Sequence, residues 1–181
     1  MRPRKGLTVA QQLQAPLNQA LLNRAYRAYG EAMESAQLLE TSLALLLLGV
    51  FYERSDLENL EECAKLHGYL FKATVGRLIL RLKRELPSTA IVERQLNKAL
   101  QLRNLLAHDY FRTYMFEWLY PAGLRRRVRH LRRINHHLQH VTNIVSHIWD
   151  LLCKKGKVDA EITIQEINVK LLPRIKELKE L

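Results

Sequence analysis

The sequence predicts an all-α protein, an up-and-down bundle of four to five helices, on three observations. Leu, Ala, Arg, Lys, Glu and Gln abound in the 181 residues, against 7 Gly and 5 Pro; the first group favours helix and the second interrupts it. Apolar residues recur at spacings of three and four over long stretches, the period of a helix with one buried stripe. Only Ile162–Val169 (ITIQEINV) has the β-branched alternation of a strand, and it is short. The length suits one domain with a proper core. We read residues 1–156 as the bundle and 157–181 as a C-terminal extension with room for a short helix.

Breakers divide the chain into its elements. The first helix is expected from about Pro16 to Glu53, where Leu21, Ala25, Ala28, Ala32, Ala36, Leu39 and Leu43 form the stripe. Ser55 or Asp56 is a candidate cap for a second helix reaching about Phe71. Thr74 is a candidate cap for a third, Gly76 a candidate turn residue, and Pro87 a stop, since a residue before proline avoids helix. Ser88 or Thr89 caps the next long helix, marked by Ile91, Leu96, Leu100, Ala107, Phe111, Tyr114 and Trp118 and closed by Tyr120–Gly123 (YPAG). The last long helix, Leu124–Lys155, is expected to bury Val128, Leu131, Leu138, Val145, Leu152 and either Ile148 or Trp149, with Gly156 as its stop. Short connections between such helices make an up-and-down bundle the economical arrangement.

Charge and cysteine content narrow the function classes. Lys and Arg number 29 against 18 Asp and Glu, a formal charge of +11, which favours a polyanionic partner, nucleic acid before an anionic membrane surface. Cys63 and Cys153 are too few for a disulfide framework and lack metal-type spacing, so a reducing, cytoplasmic location is expected. Both lie in apolar helical contexts and read as packing residues rather than nucleophiles. The basic N-terminus lacks the apolar core of a secretory signal. The run Leu43–Tyr52 (LALLLLGVFY) is about half the roughly 20 residues of a membrane span, so it reads as a buried helix and no membrane partner is expected. No glycine-rich phosphate loop, H-E-x-x-H or G-x-S-x-G occurs, and no cofactor is implied.

The segment Arg103–Phe111 (RNLLAHDYF) carries the chemistry. On a regular helix, residues five apart are separated by about 140°, so Arg103 and His108 do not stack directly, whereas Asn104 and His108 do. An arginine is long enough to swing toward the imidazole. Histidine titrates near neutral pH and can move protons; arginine stays charged and its planar fork matches phosphate oxygens. RNA cleavage by attack of its own 2′-hydroxyl needs just such a pair and no metal. Asn104 would orient His108 or a phosphate, since an amide moves no protons. Asp109 suits a solvated position or an arginine partner. Tyr110 suits the edge of the core.

Arg103–His108 resembles the R-x4-6-H signature of HEPN domains, including the Asn that often follows the Arg. Extended to Tyr110, the stretch is similar to the R-x4-H-x-Y form of toxins paired with nucleotidyltransferase antitoxins, and the Thr74–Leu78 stretch (TVGRL) is similar to HEPN-like bacterial proteins. The resemblance covers roughly residues 16–155. It implies a HEPN-like bundle acting as a metal-independent endoribonuclease. It also implies a homodimer whose interface holds both Arg–His pairs, with a role as a toxin or in phage defence. By the same resemblance, Tyr110 is where an antitoxin would attach adenylyl groups.

The densest basic run is Leu124–His140 (LRRRVRHLRRINHHLQH). Arg125, Arg126, Arg129, Arg132 and Arg133, with Arg127, cover the helix outside its apolar stripe and are candidates for RNA backbone contact, with Arg77 or Arg81 expected nearby. Few aromatics interleave with them, so base stacking is not indicated. His136, His140 and His147 share one helix face; without carboxylates or cysteines at matching spacing they suit a polar cleft better than a metal. Two rival readings stand beside cleavage. One is a non-catalytic HEPN-type nucleic-acid-binding or regulatory protein, and the other an interaction protein using its helical faces, with the C-terminal extension as a docking point.

Overall fold

The computed structural model describes residues 19–54, 60–86 and 90–155, and every element among them is helical. Helix α1 (Gln19–Arg54) and helix α5 (Pro121–Lys155) are the long members, 36 and 35 residues, each about 50 Å at 1.5 Å per residue. Between them come α2 (Leu60–Lys72), α3 (Val75–Glu85) and α4 (Ala90–Asn104). The expected caps Ser55, Asp56, Ser88 and Thr89, the strand-like Ile162–Val169, the stop Gly156 and the extension 157–181 lie outside the described residues, as do the side chains of Cys63 and Cys153.

The contacts fix the directions of α1, α3, α4 and α5. Ser35 Oγ donates to Asn135 Oδ1 at 2.6 Å, and Gly49 lies beneath the Trp149 ring, so α1 and α5 run parallel. Helix α4 runs against both: Arg103 meets Glu40 while Leu106 meets Tyr29, and Tyr110 meets His130. Lys83 pairs with Glu93 at 3.1 Å and Gly76 faces Leu100, which makes α3 and α4 antiparallel as well. The directions of these four helices are those an up-and-down order requires.

The expected stripe of α1 forms the core. Ala25, Ala28, Ala32, Ala36, Leu39 and Leu43 are buried, and Leu21 is half-buried. They pack mainly on α5, which buries Leu124, Val128, Leu131, Ile134, Leu138, Val141, Val145 and Leu152. Four alanines in succession let the two helices approach closely. Of the alternatives at the far end of α5, Ile148 is buried and Trp149 is partly exposed over Gly49. Helix α1 contains a stretch long and apolar enough to cross a bilayer by length and composition, and its stripe is packed against α5. Leu43, Leu46, Leu47 and Val50 are all buried, as expected of the apolar run.

Three boundaries differ from expectation. Gly76 lies inside α3, one residue after its start, and the extended residue is Thr74, whose carbonyl accepts from Leu78 N at 3.0 Å. Helix α4 does not continue regularly to Tyr120. It passes into a π turn at Leu105–Asp109, regains one α turn at Tyr110–Tyr114 and ends in a 3₁₀ turn at Met115–Leu119. The expected stripe extrapolated one period through that turn, and it fails there. Leu106 and Tyr110 are buried, while Ala107 is exposed and Phe111 is 41 % exposed. Finally, α5 starts at Pro121, three residues before the expected Leu124. Proline suits the first helical position because its missing N–H would have no helical partner there.

Two glycines test this packing in opposite senses. A Cβ at Gly123 would collide with the backbone carbonyl of Glu117, whereas one at Gly30 meets nothing within 4 Å. Gly123→Ala should therefore destabilise the fold by about 1–3 kcal/mol. Gly30→Ala on the exposed face of α1 should stabilise it by about 0.5–1 kcal/mol. Urea denaturation followed by circular dichroism measures both, and equal midpoints would contradict the placement of Gly123.

Candidate functional site

The π turn, Leu105–Asp109, begins two residues after Arg103 and contains His108. In such a turn each N–H bonds five residues back instead of four, so a full turn takes more residues and positions five apart come nearer to one face than in an α-helix. The side chains of the pair nonetheless meet different surroundings, Arg103 facing Glu40 on α1 and His108 facing solvent. Tyr29 on α1 donates its hydroxyl to the carbonyl of Leu106 within the turn, at 2.9 Å. A hydroxyl from a neighbouring helix is a suitable partner where the regular hydrogen-bond ladder is interrupted.

Around the turn the predicted residues separate by environment. His108 and Asn104 are exposed and have no side-chain partner among the described residues. Arg103 is partly buried and points at α1, its Nη2 3.6 Å from Glu40 Oε2. Asp109 pairs with Arg112 one turn on, at the surface. Chemically, this leaves a solvent-facing imidazole and a guanidinium held by a loose, partly exposed carboxylate contact.

Tyr110 is not at the edge of the core but inside it, 1 % exposed. Its ring lies among Tyr29, Phe111, Tyr114 and His130, and its hydroxyl is 3.3 Å from His130 Nδ1. Burial drives the phenol's pKa far above its ordinary value, partly opposed by the neighbouring Arg127 guanidinium. A reaction at that hydroxyl would require the helix to open.

The basic run of α5 divides into three. Arg126, Arg129 and Arg133 line one open pocket of about 290 Å³ with Arg127, His130 and Tyr114. Arg132 lines a second recess of about 440 Å³ with Arg24, Arg27 and Glu31 from α1. Arg125 is exposed and lines neither. Neither pocket includes Arg103, Asn104 or His108. Arg81 is elsewhere again, over the Phe51 ring and paired with Glu85 at 3.1 Å.

Several residues of this region escaped the sequence reading. Glu117 Oε2 lies 3.1 Å from Arg127 Nε and 3.6 Å from Arg126 Nε; the first is a close ion pair without hydrogen-bond alignment. Arg127 stacks on Tyr114, its guanidinium carbon 3.9 Å from the ring centre. His130 sits between Arg127 and Tyr110. Glu40 is similarly unheralded, although a lone carboxylate just before the apolar run of α1 was a signal that could have marked it.

Among the described residues no three His, Cys, Asp or Glu side chains lie close enough together to hold a metal ion. His136 is exposed, His140 and His147 are half-buried, and His137, next to the expected stripe, faces α4 near Gln95 and Lys98. Compared with known protein families, curated proteins and solved structures, the chain matches none.

Burial, with Lys98 nearby, pushes the His137 pKa down from 6.5 to about 4. Below pH 6.5 the unfolded chain therefore takes up a proton that the folded chain refuses until about pH 4, and stability falls through that window. His130 and His140 are shifted in the same direction by burial. His137→Gln should flatten the loss between pH 6.5 and 4, recovering about 1–2 kcal/mol after discounting for partial solvent access. Thermal melts across that range check it, and an unchanged pH profile would refute the assignment.

Proposed function

We propose that this protein is a metal-independent endoribonuclease of the HEPN type, acting as a homodimer in a toxin or phage-defence role. The observation that carries the reading is the π turn that follows Arg103 and contains His108. Such turns are rare and occur often at functional sites. This one starts two residues after Arg103 and contains His108, the two residue types that intramolecular RNA cleavage requires, and the imidazole is open to solvent. In the reaction, the imidazole of His108 removes the proton of a ribose 2′-hydroxyl. The freed oxygen attacks the adjacent phosphorus, and the bond to the 5′-oxygen breaks. The partner's His108 returns a proton to that leaving oxygen, and the product retains a 2′,3′-cyclic phosphate.

Arg103 stabilises the charged phosphorane. Glu40 holds its guanidinium in place beforehand, and a loose, partly exposed pair of this kind costs little to exchange for a phosphate. Asn104 is exposed one residue away and serves to orient the phosphate. The α5 arginines add backbone affinity that falls with salt. Modification of Tyr110 by an antitoxin is not part of this reading, because its hydroxyl is buried. A second reading, non-catalytic phosphate binding, is favoured by the arginine pocket on α5, which excludes the Arg103–His108 pair.

RNA incubated with the protein in EDTA should be cleaved, leaving cyclic phosphate ends. His108→Ala should slow cleavage about 10²–10⁴-fold, and Arg103→Ala about 10²–10³-fold. Cleavage that persists in His108→Ala, or that needs a divalent metal, overturns the mechanism. A protein that sediments as a monomer at the assay concentration overturns the shared site.

A further inference from the structure

We propose that the pocket formed by Arg126, Arg127, Arg129, His130 and Arg133 beside Tyr114 is a receptor for a phosphomonoester, on residues separate from the proposed cleavage pair. Four guanidinium groups line this recess, and among the described residues the one carboxylate that meets any of them is Glu117, shared by Arg126 and Arg127. Among the described residues Arg129 and Arg133 have no ion-pair partner. A doubly charged phosphate answers that excess better than the single charge of a phosphodiester. The volume, about 290 Å³, is at the lower end of ligand pockets, roughly 300–1,000 Å³. It admits one phosphate group with the rest of its ester outside.

Two of the arginines are already oriented, which distinguishes the recess from a generally basic surface. Arg127 is pinned between the Tyr114 ring, Glu117 and His130, its side chain 11 % exposed. Arg126 Nη2 donates to the Tyr120 hydroxyl at 2.8 Å with its guanidinium over that ring. Ordering of long side chains is a main cost of binding, and here much of it is met before a ligand arrives. His130 adds a donor. A guanidinium only donates, so Nδ1, 3.3 Å from Arg127 Nη1, accepts. The proton of a neutral ring is then on Nε2, and burial with the neighbouring Arg127 and Arg133 keeps the ring neutral. Arg129 and Arg133, exposed and unpaired, can close on the phosphate oxygens as charge-assisted donors.

The test is calorimetric titration of the full chain with inorganic phosphate, with 5′-AMP beside adenosine, and with a 5′-phosphorylated RNA oligomer beside its 5′-hydroxyl form. Each is repeated for Arg129→Gln/Arg133→Gln, whose fold is checked by thermal melting, and for His108→Ala. At least one phosphomonoester should bind about tenfold or more tightly than its counterpart lacking the phosphate. That advantage should vanish in the double variant and persist in His108→Ala. Preference confined to the RNA end identifies a nucleic-acid terminus as the source of the phosphate. Preference shared by AMP or phosphate identifies a small ligand. Equal binding with and without the phosphate, or an advantage that survives the double variant, overturns the proposal whether or not the protein cleaves RNA.

Discussion

The parallel packing of α1 on α5 is the constraint from which the rest of the structure follows. Alanines at 25, 28, 32 and 36 allow the close approach, and Ser35 sets the register. It is the one buried polar residue among those described, and its hydroxyl reaches Asn135 Oδ1. Sliding either helix by a turn would strand that hydroxyl in an apolar seam, at a cost of about 1–3 kcal/mol. With the register fixed, the arginine-rich first half of α5 lies beside the first half of α1, where Arg132 shares a recess with Arg24 and Arg27. The Trp149 end caps Gly49.

Helix α4 occupies the space that this pair leaves, and is held from both sides. Tyr29 reaches it from α1 at the Leu106 carbonyl, and His130 from α5 at the Tyr110 hydroxyl. Tyr26, Phe111 and Trp118 extend the same aromatic contact to the end of the helix. Interlocked rings at 4.7–6.4 Å in such tilted geometries add to the area they bury. The π turn is thus fastened by groups distant in sequence, which is how an irregular backbone persists in a helix that propensity alone would keep regular.

This division explains what the sequence could and could not convey. The α1 stripe, the α5 stripe and the fold class were legible because burial on one face imposes a simple period on residue type. Pro87 marked the end of α3 for a local steric reason, and Thr74 its start, as an extended residue whose side chain makes no capping hydrogen bond. The π turn was not legible: LLAHD carries no breaker, and Tyr29, which donates to the Leu106 carbonyl within it, is 77 residues away in sequence. Phe111 and Ala107 were accordingly placed inward and Tyr110 at the edge, the reverse of what is found. The α5 arginines were visible as a run, but not their partition into three environments. That depends on which of them meets Tyr114, Glu117 or α1.

The partition also shows how so many like charges are accommodated on one helix. Arg127, the most buried of them, and Arg126 beside it are given a carboxylate and aromatic faces, while Arg125, Arg129, Arg132 and Arg133 are exposed, where water screens them. Arg127 has the most protein around it and does most of the connecting: it faces Glu117, stacks on Tyr114 and donates to His130. His130 in turn stacks on Tyr110, the residue that follows the π turn. A buried aromatic residue therefore joins the irregular stretch of α4 to the charged pocket of α5. Replacing Arg127 with an uncharged side chain would remove at once the nearer partner of Glu117, a donor to His130 and the cation above Tyr114. The charge at that position is consequently part of the packing as much as of the surface.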